Sequence, residues 1–99
     1  MAIKMQRGSG NVFTDLGFAA DEAVNLQLRS DLMNQLRARL DKLALTQAHA
    51  ARLLGVSQPR VSDLMRGRID RFSIDMLIKL LGKIGVEVRV TTRTKSRAA

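Results

Sequence analysis

Gln58, Arg60, Ser62 and Asp63 bring an amide, a guanidinium, a hydroxyl and a carboxylate into one short segment. An amide offers a donor and an acceptor side by side, and a guanidinium offers a planar fork of donors. These are groups that recognise rather than groups that react. His49 is the single histidine, there is no cysteine, and no nucleophile–histidine–acid set or glycine-rich phosphate loop accompanies them. The chain therefore reads as a non-enzyme. Without cysteine or clustered carboxylates, no metal site and no cofactor are expected. His49 reads as a surface residue of a helix, and the five methionines read as core filler.

Around that segment the charge is positive. Arg66, Arg68 and Arg71 follow it, and seventeen Lys+Arg against nine Asp+Glu leave +8 on 99 residues. Such an excess favours a polyanionic partner, whether nucleic acid, anionic membrane or acidic protein, and charge alone does not choose among them. No stretch approaches the ~18 apolar residues of a membrane span. Lys4, Gln6 and Arg7 interrupt any leader-like apolar run. The expected location is the cytoplasm, on the nucleoid.

Four helices must hold the recognition groups. Val24, Leu28, Leu32, Leu36, Leu40 and Leu43 recur at helical spacing and predict a helix over 21–43 with Asp21 as N-cap. Its length leaves room for a break near Ser30. Thr46 caps a second helix over 47–54, which Gly55 stops. Ser57 caps a third to Met65 with Pro59 in its first turn, and Gly67 ends it. Ser73 caps a fourth, whose Ile74, Leu77, Ile78, Leu81 and Ile84 form an apolar face closed by Gly85. Val86, Val88 and Val90 then alternate with Glu87, Arg89 and Thr91, the pattern of a strand over 86–92. A lone strand needs a partner: the same strand of a second subunit, the segment near Val12, or another protein. Residues 1–10 are expected to be disordered. Val12, Phe13, Leu16 and Phe18 form a short extended piece that covers the domain's own core or docks on a partner.

Residues 47–67 meet the steric demands of two short helices crossing at a wide angle. Ala51 is small where they touch, Gly55 accepts positive φ four positions later, and Val56 is apolar beneath the turn. Ala50 and Leu54 face inward on the first helix, Val61 and Leu64 on the second. The run from Thr46-Gln47 through Ala51, Gly55-Val56-Ser57 and Val61 to Leu64 and Gly67 resembles the Cro/C1-type (XRE family) helix-turn-helix. The flanks Asn11–Phe18, Arg66-Gly67-Arg68 and Phe72-Ser73-Ile74-Asp75 resemble the HigA-like antitoxins of type II toxin–antitoxin operons.

The resemblance implies a mainly α, lambda-repressor-like bundle of about four to five helices with one C-terminal strand. It divides as a partly extended segment (1–20), a helix-turn-helix domain (21–84), a strand for pairing (85–93) and a flexible basic tail (94–99). It places the helix 57–65 in the major groove of double-stranded DNA. There Gln58 can pair with adenine and Arg60 with guanine or a phosphate. Pro59 supplies apolar contact with a thymine methyl or none, and Ser62 meets a base or a phosphate. Asp63 either accepts from cytosine or orients Arg60 or Arg66, the second being favoured because a carboxylate is repelled by phosphates. Gln47, Ser57, Arg66, Arg68 and Arg71 are the expected phosphate contacts.

Two functions fit. One is an autorepressor that also neutralises a small toxin protein, with Val12, Phe13, Leu16 and Phe18 as candidate toxin contacts. The other is a stand-alone phage-type or restriction-modification controller regulator with no protein ligand. Paired operator half-sites imply a homodimer, and antiparallel exchange of the strand carrying Val86, Val88 and Val90 would supply it.

Overall fold

In the computed structural model, residues 2–5 and 11–94 are described. Strand β1 (Ala2–Met5) comes first, then helices α1 (Val12–Asp15), α2 (Ala20–Leu43), α3 (Gln47–Leu54) and α4 (Gln58–Met65). A 3-10 turn at Ile69–Arg71, helix α5 (Ile74–Lys83) and strand β2 (Glu87–Val90) complete the order. The architecture is the expected mainly helical bundle.

The apolar repeat of α2 folds as one unbroken helix through Ser30. Leu32, Met33, Leu36 and Leu40 are buried from it against Ala50, Ala51 and Leu54 of α3, Val61 and Leu64 of α4, and Leu77, Leu80 and Leu81 of α5. Phe72, Ile84 and Val86 close this core. Each fully buried leucine contributes about 2 kcal/mol through the water it sheds, so mainly aliphatic packing holds the helices together.

Three expectations near the N-terminal side are corrected. Asp21 is not the N-cap of α2; Ala19 holds that position without a side-chain bond. The Asp21 carboxylate instead accepts from the Glu22 N–H at 2.9 Å, in the first turn, where negative charge still suits the helix dipole. The segment 11–18 is not extended. Asn11 Oδ1 accepts from the Phe13 N–H at 2.8 Å and starts the single turn α1, and the Asn11 amide donates to the Ala23 carbonyl at 2.9 Å, pinning α1 to α2. Within residues 1–10, expected to be disordered, residues 2–5 form a strand, while residues 6–10 lie outside the described part.

That strand answers what pairs with the C-terminal one. β1 lies parallel to β2, with Ala2 beside Glu87, Ile3 beside Val88, Lys4 beside Arg89 and Met5 beside Val90. Parallel strands require a long crossover, and here the entire helical bundle is that crossover. β2 is shorter than the expected 86–92. Val86 precedes it, buried in the core with its N–H donating to the Leu81 carbonyl at 3.0 Å. Val88 packs partly on the core and Val90 is 66% exposed. Apart from Thr94, the basic tail 94–99 lies outside the described residues.

Candidate nucleic-acid interface

The recognition groups ride on α4, and its placement begins with the turn that precedes it. Thr46 Oγ1 accepts from the His49 N–H at 3.2 Å and starts α3. Gly55 ends it at φ 70°, a left-handed conformation that costs a residue with a Cβ. There the Val56 N–H reaches back to the Ala51 carbonyl (3.0 Å) and the Gly55 N–H to Arg52 (3.3 Å), a double closure that satisfies carbonyls the helix leaves open. The Lys83 ammonium of α5 donates to the Leu54 carbonyl at 3.0 Å, so a third element holds the same turn. Ser57 Oγ then accepts from the Arg60 N–H at 3.4 Å and starts α4 with Pro59 in its first turn.

Val61 and Leu64 are buried and define the inner face of α4. At about 100° per residue, Pro59 and Arg66 lie opposite that face, with Ser62 and Asp63 beside them. Gln58, Pro59 and Arg66 are exposed, and Ser62 and Asp63 are half-buried. Gln47 and Ser57, at the starts of α3 and α4, are exposed, as are Arg68 and Arg71 beyond the end of α4. The structure therefore gathers Pro59, Ser62, Asp63 and Arg66 on one outward surface, with exposed Gln58 at its flank in the first turn of α4 and Arg68 and Arg71 on the chain that follows.

Arg60 stands apart from that surface. It lies at the margin of the inner face, and its guanidinium carbon sits 4.2 Å from the centre of the Phe72 ring. One arm donates to the Arg71 carbonyl at 2.9 Å and the other to the Met76 sulfur at 2.8 Å. Asp63 orients neither Arg60 nor Arg66. Its carboxylate pairs with Arg71, Nη1 to Oδ2 at 3.3 Å. These contacts join α4 to the chain leading into α5 and to the first turn of α5, 8 to 16 residues on. That is beyond the three- and four-residue spacings of a helix, so no local spacing announced them. Phe72 carried a faint signal as the lone aromatic outside residues 11–18.

The expected toxin contacts cluster on and after α1. Val12, Leu16 and Phe18 are 52%, 69% and 40% exposed, while Phe13 is half-buried and meets the Phe18 ring edge-on at 6.1 Å. Among the described residues no cluster of three His, Cys, Asp or Glu side chains could hold a metal ion, and no helix is long and apolar enough to cross a membrane.

A family model described as a helix-turn-helix domain matches residues 12–93 of the chain. A solved structure named for the XRE family of transcriptional regulators is 38% identical, with a TM-score of 0.72, over 79% of this chain and 90% of that one. No curated protein matches.

Proposed function

Because the chain belongs to the XRE-type helix-turn-helix family of DNA-binding transcriptional regulators, we propose that it is a sequence-specific repressor that doubles as the antitoxin of its own operon. The observation that carries the DNA-binding half is the polar outer face of α4, fixed by the Gly55 turn and rimmed by arginines. In this reading α4 enters the major groove with Gln58, Pro59 and Ser62 toward the base edges. Gln47, Ser57, Arg66 and Arg68 hold the flanking phosphates. Arg60 supports the helix from behind.

Two further surfaces support the protein-binding half. The exposed Val12, Leu16 and Phe18 offer an apolar patch on a helical turn outside the groove-facing surface, suited to a small toxin protein. β2 is flanked by β1 on one edge only among the described residues. Antiparallel pairing of its other edge with a second copy gives a dimer whose two α4 helices can address half-sites about 34 Å apart. Val88 and Val90 belong to that strand, whereas Val86 is committed to the core.

The test combines two readouts. Duplexes selected from a random pool are titrated with the wild-type chain and with Gln58→Ala and Ser62→Ala. The product of the adjacent reading frame is co-expressed with the wild-type chain and with a Val12→Ser, Leu16→Ser, Phe18→Ser triple variant. Loss of discrimination in the first pair and loss of neutralisation in the triple variant, with DNA binding intact, are the expected results. Neutralisation retained by the triple variant refutes the patch. An adjacent product that neither binds the chain nor arrests growth leaves a stand-alone repressor.

A further inference from the structure

Resting on the DNA-binding reading, we infer that Arg71, outside the recognition helix, is the arginine that reads a guanine, and that Asp63 is its positioning residue. Arg60 is the arginine that sequence points to, but all of its directed contacts are spent inside the protein. Its guanidinium carbon lies over the Phe72 ring, 4.2 Å from the ring centre, and its two arms donate to Arg71 O and Met76 Sδ. Withdrawing it toward a base would expose Phe72, which is 2% accessible, and would leave the Arg71 carbonyl without its charged donor.

The same contacts prepare Arg71. Its backbone is tied to α4 through the Arg60 guanidinium, and its side chain is tied to α4 through Asp63. The Asp63 side chain is 17% exposed and that of Arg71 50%. The carboxylate is thus the more covered partner and the guanidinium the more exposed one, with one nitrogen engaged by Asp63 and the side chain half open to solvent at the edge of α4. A long side chain ordinarily gives up rotamer freedom on binding, and fixing it beforehand removes that cost. A guanidinium held at one end by a carboxylate keeps a pair of parallel N–H groups, the pattern that matches guanine O6 and N7. The pairing also explains an acidic residue on a surface that meets phosphates: Asp63 is neutralised by Arg71 rather than facing the backbone.

A duplex recovered by selection with the wild-type protein, its single base-pair variants and a scrambled duplex provide the test. Each is titrated by fluorescence anisotropy with wild type, Arg71→Ala, Arg71→Lys and Asp63→Asn. The expected result is a loss of discrimination of about tenfold or more at one G·C pair in both Arg71 variants, with a smaller loss in Asp63→Asn. Replacing that guanine by 7-deazaguanine reproduces the loss for the wild type and adds nothing in Arg71→Ala, and the wild-type arm needs no altered protein. If Arg71→Ala instead weakens every duplex by one factor and Arg71→Lys restores it, Arg71 holds a phosphate and the inference falls while DNA binding stands. If the wild type selects no sequence at all, the DNA-binding reading itself falls, and the inference with it.

Discussion

Replacing Gly55 by alanine strikes the joint on which the interface depends. At φ 70° an alanine incurs about 1–2 kcal/mol from its Cβ against the neighbouring carbonyl. The added Cβ also stands 2.8 Å from Lys83 Nζ, so the lysine must swing aside. The end of a flexible side chain moves easily, but the move breaks its bond to the Leu54 carbonyl, worth about 1 kcal/mol net. The stiffer unfolded chain returns about 0.5 kcal/mol. The balance is a loss of about 2 kcal/mol, and at about 4–8 °C per kcal/mol for a domain of this size the melting midpoint falls by about 10 °C. Calorimetry and circular dichroism melts measure it. In a Lys83→Met background the bond is already gone, so the same glycine substitution costs about 1 kcal/mol less. A midpoint for Gly55→Ala within about 2 °C of wild type refutes the account, and equal costs in both backgrounds refute the part assigned to Lys83.

Ala44 is the mirror case: a non-glycine residue at φ 53° ending α2. Ala44→Gly relieves strain and raises the midpoint by a few degrees, about 0.5 kcal/mol after the added chain freedom is discounted, read in the same melts. Arg60→Ala removes the ring contact and two hydrogen bonds and destabilises the fold by about 1–2 kcal/mol, a shift that denaturant titration resolves. Arg68→Ala leaves stability unchanged, weakens all duplexes alike and lowers the salt slope of log K by about 0.9, measured by titration across a range of salt concentrations.

What could be read in advance was local. Thr46, Ser57 and Ser73 each bond to a backbone N–H three residues on, and Gly55, Gly67 and Gly85 all lie at positive φ after a helix; both relations are written in a few consecutive residues. The start of α2 misled because Asp21 has the right chemistry for a cap, yet the helix is already under way at Ala20. Asn11 was legible in principle, since its side chain caps the turn that follows, but the apolar density of 12–18 outweighed it. The identity of the partner strand was not legible, because four residues carry little pattern and pairing unites opposite ends of the described chain. The same holds for Arg60 and Asp63. Their residue types say that they make directed bonds; only the fold says that those bonds go to Phe72, Met76 and Arg71.

The parallel pairing of β1 with β2 has a kinetic side. Ile3 lies beside Val88, so this sheet forms only after the chain has closed a loop around every helix, and the entropy of closure grows with loop length. The helical contacts are more local, whereas the strand pair spans the largest sequence separation among the described residues, and local contacts are expected to form first. During ribosomal synthesis β1 emerges first and waits for β2, the last of these elements to appear. The sheet is thus expected to form after the helical core and to open before it. In native-state hydrogen exchange its amides should exchange through a small sub-global opening that leaves the α3–α4 unit intact.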